Sequence, residues 1–202
     1  MYGFVPDAPT PHDTIELEGA YTPLDMKAAS GDANMREEKE ALLTSCRYDP
    51  PRTFLLGSAG SIDPGVITAL RLIYLERSEL EEAGNNWNRP LLHAPVSAAN
   101  EKRVATALRA RLSKALEEEG GAPVVAEEED YEDEDEDEAD EREQMQCARQ
   151  IVANRRAVLS ESITRLDGFL ARVESSSEGD NGKVLNLLDD CFEDYMPGIR
   201  LL

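Results

Sequence analysis

Apolar positions along this chain recur mostly at helical spacing. In "IDPGVITALRLIYLERSELEE", Ile67, Leu70, Ile73 and Tyr74 return every three or four residues and predict one buried helix face. Asp63 is a natural N-cap, and Pro64 stands at the first helical position, where its missing N–H is harmless. Ser78 and Glu81 have capping-box spacing, so a second short helix is expected directly afterwards. Gly84-Asn85-Asn86 then breaks the pattern, and the single Trp, Trp87, falls in that break. A loop Trp either anchors a partner or folds back onto the core.

A second strong pattern starts at Ser97, where Val104, Ala105, Leu108, Leu112 and Leu116 form one stripe. Lys102, Arg103, Arg109, Arg111 and Lys114 cover much of the remaining surface. Such a face could hold phosphate or an acidic partner, but a solvated face answered by the nearby acidic run is the simpler reading. The third pattern is the longest. From about Gln144, the positions Met145, Ala148, Val152, Leu159, Ile163, Leu166, Leu170 and Val173 keep helical spacing for some eight turns. Sustained periodicity of that length predicts packing along a neighbouring antiparallel helix.

The flanks are less regular. Thr14-Ile15-Glu16-Leu17-Glu18 alternates like a short strand among turn residues. Asp32 or Asn34 can cap a short helix ending near Cys46, and "YDPPRTFLLG" is extended because Pro50-Pro51 cannot be helical. "SSSEGDNG" predicts a flexible break, after which Val184, Leu187, Leu188, Cys191 and Tyr195 mark a last short helix stopped by Pro197-Gly198. With apolar residues at 41% and aromatics at 5%, the expected fold class is mainly α.

Charge changes the picture in one place. The chain carries a net −21, but residues 127–143 alone hold fourteen acidic residues and one Arg. A like-charge run this dense predicts a disordered acidic insertion over 120–143 and leaves the rest with an ordinary surface. The overall sign argues against nucleic acid and anionic membranes as partners. No apolar stretch is long enough to span a bilayer, and no secretory leader is recognisable, so a soluble intracellular protein is expected.

Candidate chemistry is sparse. Cys46, Cys147 and Cys191 are widely separated, and His12 and His93 stand far from them. Free thiols in a reducing compartment account for this better than a metal site or a disulfide framework, so no metal is expected. No catalytic triad, phosphate-binding loop or Gly-rich dinucleotide turn is visible. The residues by themselves indicate an interaction module.

The order of segments carries a resemblance. "YGFVPDAPTPHDTIEL" resembles the place where the SET fold ends in lysine methyltransferases of the Rubisco large-subunit methyltransferase type. "FLLGSAGSIDPGVITALRLIYLERSELEE" is similar to the start of that family's helical substrate-binding domain, with its Leu-Arg-Leu helix. "LLHAPVSAANEKRVATALRARLSKAL" resembles the next helix, with Val96, Ser97, Asn100 and Glu101 in the places of a Val-Ser-x-x-Asn-Glu signature. "REQMQCARQIVANRRAVLSESITRL" falls where the family has its long arginine-bearing final helix. Two departures concern the groove rather than the fold. "YEDEDEDEADE" stands in place of a Tyr-Thr-Thr linker, and Ala153-Asn154-Arg155-Arg156-Ala157 in place of a Gly-Glu-Lys.

The resemblance implies residues 1–25 as a short β/turn remnant of the SET domain, 33–173 as a helical substrate-binding domain with long antiparallel helices, and 174–202 as a break and a short helix. It implies that Tyr2 sits at the mouth of the lysine channel, orienting the target amine for attack on a methyl sulfonium. Tyr2 would border the S-adenosylmethionine site of an intact relative, whose pocket comes mainly from an Asn-His-Ser segment further upstream. The expectation is therefore a chain that binds no cofactor alone and transfers no methyl group, a truncated substrate-binding portion of a protein-lysine methyltransferase. Its partner would be a protein substrate or a basic protein, with substrate-contacting residues and oligomeric state left open. A cytoplasmic or nuclear location is expected, or a plastid one if a transit peptide stood upstream. The alternatives are a stand-alone protein-interaction module using the acidic loop and a histone-chaperone-like acidic binder.

Overall fold

The computed structural model describes residues 14–18, 29–45, 53–57, 60–83, 94–120, 136–176 and 185–192. Among them the chain forms two strands and six helices, so the fold is mainly α with one small sheet. Strand β1 (Thr14–Glu18) lies antiparallel to β2 (Thr53–Gly57), with Ile15 opposite Leu56. Both of these side chains are buried, forming a cross-strand apolar pair on the core face. The segment after Pro50-Pro51 is thus extended as expected, and pairing with β1 makes it a strand. A turn follows in which the Gly60 N–H donates to the Gly57 carbonyl. Gly60 has φ +74, and a Cβ there would come within 2.9 Å of the Ser162 backbone nitrogen. Glycine is required twice over, for the left-handed backbone and for the close approach of a helix.

Helix α1 (Ala33–Ser45) starts as its sequence predicts, with Asp32 Oδ1 accepting from the Met35 N–H at 2.7 Å. That bond, opposed in part by desolvation and helped by Arg77, holds the Asp32 carboxyl below its usual range. The buried positions of α1 are Met35, Lys39 and Leu43, one turn apart, with a lysine in the middle of the apolar stripe.

Helix α2 (Pro64–Ile73) also starts as predicted, with Asp63 accepting from the Gly65 N–H. Its buried surface is wider than one face, since every residue from Val66 to Ile73 is buried. The reason is its position. Helix α2 packs against α1, α4 (Ala98–Gly120) and α6 (Leu187–Phe192), which leaves no side for water. Helix α3 (Arg77–Ala83) uses a different capping pair from the one expected. The Glu79 carboxylate accepts from the Glu76 N–H at 2.8 Å, so the cap sits two residues before Ser78. Helix α2 ends at Ile73, and the chain re-enters helix at once, leaving Ser78 inside α3.

Helices α4 and α5 (Glu136–Ser176) make the antiparallel hairpin that the periodicity predicts. Ser97 Oγ caps α4 by accepting from the Asn100 N–H at 2.9 Å. Ion pairs fix the register of the hairpin: Lys102 with Glu174 at 2.9 Å, Arg109 with Asp167, and Arg155 with Glu119 at 2.6 Å. Val104, Leu108 and Leu112 of α4 and Leu159, Leu166 and Phe169 of α5 are fully buried. Order begins earlier in α5 than the charge pattern suggests. The helix starts at Glu136, inside the stretch expected to be disordered, and α4 runs to Gly120. Glutamate is a good helix former, and carboxylates in the first turns meet the positive end of the helix dipole. Residues 121–135, with most of the acidic run, lie outside the described residues.

Candidate functional site

Tyr2, the residue that the resemblance singles out, lies outside the described residues, as do Trp87, His12, His93 and Cys46. Cys147 is a free, half-buried thiol on α5. Among the described residues no group of His, Cys, Asp and Glu is arranged to hold a metal ion, and no helix is long and apolar enough to cross a membrane.

The structure does bring together the two motifs that carry the resemblance. Arg71, the middle residue of Leu-Arg-Leu, meets Glu101, the last residue of Val-Ser-x-x-Asn-Glu. Its Nε donates to Oε1 at 2.6 Å and its Nη2 to Oε2 at 2.7 Å. Both side chains are shut off from water, at 1% and 0% exposure. A guanidinium and a carboxylate buried this deeply are tolerated only with their remaining hydrogen-bond capacity filled. Asn186 Oδ1 accepts a further bond from Arg71 Nη2 at 2.6 Å, and the Leu187 N–H donates to Glu101 Oε2 at 2.9 Å. Asn100 Nδ2 donates to the Arg71 carbonyl at 3.0 Å. The signature thus clamps α2, α4 and the start of α6 into one body. It builds the scaffold, with Arg71, Asn100 and Glu101 all buried. It also ties the last short helix to the core, which its expected place beyond a flexible break does not suggest.

A second polar cluster lies at the C-terminal end of α2. Lys39 Nζ donates to the Ile73 carbonyl at 2.6 Å and to the Ala29 carbonyl at 3.0 Å. Its ammonium therefore caps the negative end of α2. Burial, with the nearby cations Arg103 and Arg77, pushes it down to about 8, against the opposing pull of Glu79 and Asp32. Arg103 Nε donates to the Tyr74 carbonyl at 3.0 Å, and its guanidinium pairs with Glu76 at 2.8 Å and Glu79 at 2.5 Å. Glu79 also accepts from the Ser97 hydroxyl, linking the start of α4 to α3.

These contacts decide how the basic face of α4 is used. Lys102, Arg103, Arg109 and Lys114 are answered by Glu174, Glu76 with Glu79, Asp167 and Glu118. The partners are ordered acids on α3, α4, α5 and the turn before α3, rather than the acidic run. With these four cations paired, the face is a packed, solvated surface that offers little field to a phosphate.

Three features were not foreseen: Lys39, the Arg71–Glu101 pair and Asn186. Two had a readable signal. Arg71 interrupts "VITALRLI", where an uncompensated cation would be intolerable, and Lys39 stands four residues from both Met35 and Leu43. Asn186 had none, because its role depends on where α6 docks.

The family model described as Rubisco LSMT substrate-binding matches residues 30–159. That span runs from the turn before α1 to the point where α5 enters its seam with α4. No curated protein and no solved structure matches the chain.

Proposed function

The chain belongs to the Rubisco LSMT substrate-binding family over residues 30–159, and on that premise we propose that it holds the protein substrate of a protein-lysine N-methyltransferase. The family match carries this reading, and the Arg71–Glu101 clamp supports it by making α2, α4 and α6 one rigid support. Rigid elements position a bound chain better than mobile ones, and positioning is what a methyl transfer to an amine requires of its substrate-binding part. In this reading S-adenosylmethionine belongs to a SET domain, whose last turn Tyr2 would supply. The chain alone binds protein and transfers no methyl group.

The test has two arms. Labelled S-adenosylmethionine incubated with the 202-residue chain and candidate proteins should leave every protein unlabelled, while immobilised chain should retain at least one candidate. Methylation by the chain alone would falsify the division of labour. A chain that retains no candidate, alone or joined to a SET domain, removes the substrate-binding role.

One observation favours a second reading, a stand-alone interaction module for a basic protein. Residues 127–143 hold fourteen carboxylates, far more than packing needs. Deleting residues 127–135 should then weaken binding to a lysine-rich protein and flatten its salt dependence. Unchanged binding at low salt removes that role.

A further inference from the structure

Residues 136–154 form the N-terminal arm of α5. Met145 lies on this arm and is 38% exposed, while Met35, the other methionine among the described residues, is buried in α1 at 6%. A thioether that meets water also meets dissolved oxidants, so exposure selects one methionine over another. The Met145 sulfur has a neighbour as well. Arg149, one turn further along α5, donates from Nη2 to Sδ at 3.7 Å. The i, i+4 spacing is what brings these two side chains together on the helix surface. A guanidinium has five N–H donors, so it holds this contact alongside its other interactions.

A thioether sulfur carries two lone pairs, and adding oxygen to one or the other gives sulfoxides of opposite hand. Arg149 donates to one of them, so an oxidant reaches the other more readily. We propose that Met145 is an oxidation site and that Arg149 directs oxygen to one hand of its sulfoxide. The oxidant is a peroxide. With hydrogen peroxide, the open sulfur lone pair attacks one peroxide oxygen and the O–O bond breaks. The second oxygen takes the proton of the first and leaves as water. Sulfur loses two electrons and the peroxide gains them.

The product suits its place. A sulfoxide is polar and disrupts a packed core, but Met145 already stands in water. The fully buried seam of α5 begins further along, at Val158 and Leu159. Oxidation at Met145 therefore marks the surface of α5 and leaves the fold standing, and sulfoxide reductases can reverse it. This inference is independent of the substrate-binding reading.

Treating the full chain with dilute hydrogen peroxide tests it. Cys147, two residues on, is a free thiol that the oxidant would also attack, so the chain carries Cys147→Ser. Mass spectrometry of digested samples over time should show Met145 gaining oxygen at least about tenfold faster than Met35. Peptides spanning oxidised Met145 are then offered separately to the two methionine sulfoxide reductases, each specific for one hand. The shares repaired should be about threefold apart, the size of bias a weak hydrogen bond exerts. Arg149→Ala should bring the two shares together. It alters an exposed position, so the helical circular dichroism should stay as in the parent. Met35 oxidised as fast as Met145 overturns the site. Equal shares in the parent, or a bias that survives Arg149→Ala, overturns the directing role.

Discussion

The two halves of α5 have nearly the same pattern and opposite surroundings. From Val158 to Phe169 the helix buries Val158, Leu159, Ser162, Leu166 and Phe169 against the rest of the domain. From Glu141 to Ile151 the same period continues, yet nine of these eleven residues are exposed and the other two only half-buried. The difference is α4, which stops at Gly120 beside Arg156. Periodicity reports which face a helix would bury. Whether it buries that face depends on the length of its neighbour. The body of the domain thus buries its apolar period, while the arm leaves Met145 and Ile151 exposed.

Removing one member of the Arg71–Glu101 pair attacks the body where its partnering is most complete. Glu101→Gln leaves a buried guanidinium without its counter-ion and weakens the bond to the Leu187 N–H. Loss of one partner of such a pair costs about 3–5 kcal/mol. Thermal unfolding of this variant should show the largest drop of any single substitution considered, and α6 should gain hydrogen exchange first. The pair Arg71→Met with Glu101→Leu should cost less than Glu101→Gln alone. A Glu101→Gln protein that melts like the wild type removes the clamp from the argument.

Truncating the same seam on its two sides tests the comparison directly. Leu166→Ala opens a cavity in a fully buried position and should cost about 2–5 kcal/mol. Ile151→Ala, at a 49% exposed position, should stay within about 0.5 kcal/mol in dilute solution. Equal losses at the two positions would mean that the arm is buried in the folded monomer.

Buried charge separates the body from the arm in a third way, through pH. Lys39 is held at about 8 in the folded chain against 10.5 when exposed. Below pH 8 both states are protonated, and the folded state carries the cost of a buried ammonium. Between about 8 and 10.5 the unfolded chain binds the extra proton, so this residue's contribution to stability rises with pH. The gain approaches a tenfold change in the folding constant per pH unit. Denaturant titrations at pH 7 and pH 10 should therefore differ between wild type and Lys39→Met, the wild type gaining relative to the variant. Parallel pH dependences would show that Lys39 does not titrate in that window.

Much of this fold was legible in the sequence because the caps and the apolar periods are local. Asp63 caps as expected, Asp32 is the one used of the candidates Asp32 and Asn34, and α4 starts at Ser97 as expected, while the α4–α5 hairpin follows from two long amphipathic runs. What was not legible depends on tertiary placement. The all-round burial of α2, the docking of Asn186 on Arg71 and the exposure of Met145 and Ile151 arise from which elements meet and where each ends. The acidic run misled for a different reason. Its composition argues for disorder, but from Glu136 onward the same carboxylates sit at a helix N-terminus, where they are favourable.

The smallest expected effect concerns the ion pairs that set the hairpin register. Lys102 and Glu174 meet at 2.9 Å, but their side chains are 48% and 64% exposed. Water and salt screen such a pair, and ordering two long side chains offsets much of the attraction, so Lys102→Ala should cost about 0.2–1 kcal/mol. The loss should shrink further as salt is raised. Arg109 with Asp167 is similarly exposed, and the partner raises the Arg109 guanidinium above its ordinary range without adding burial. Removing both pairs together should leave the hairpin intact, because the register is also set by apolar contacts such as Leu108, Leu112, Leu159 and Leu166. If the double variant instead lost the helical signal cooperatively at low denaturant, charge rather than burial would be holding the inner half of α5. The contrast between the two halves of that helix would then have to be explained electrostatically.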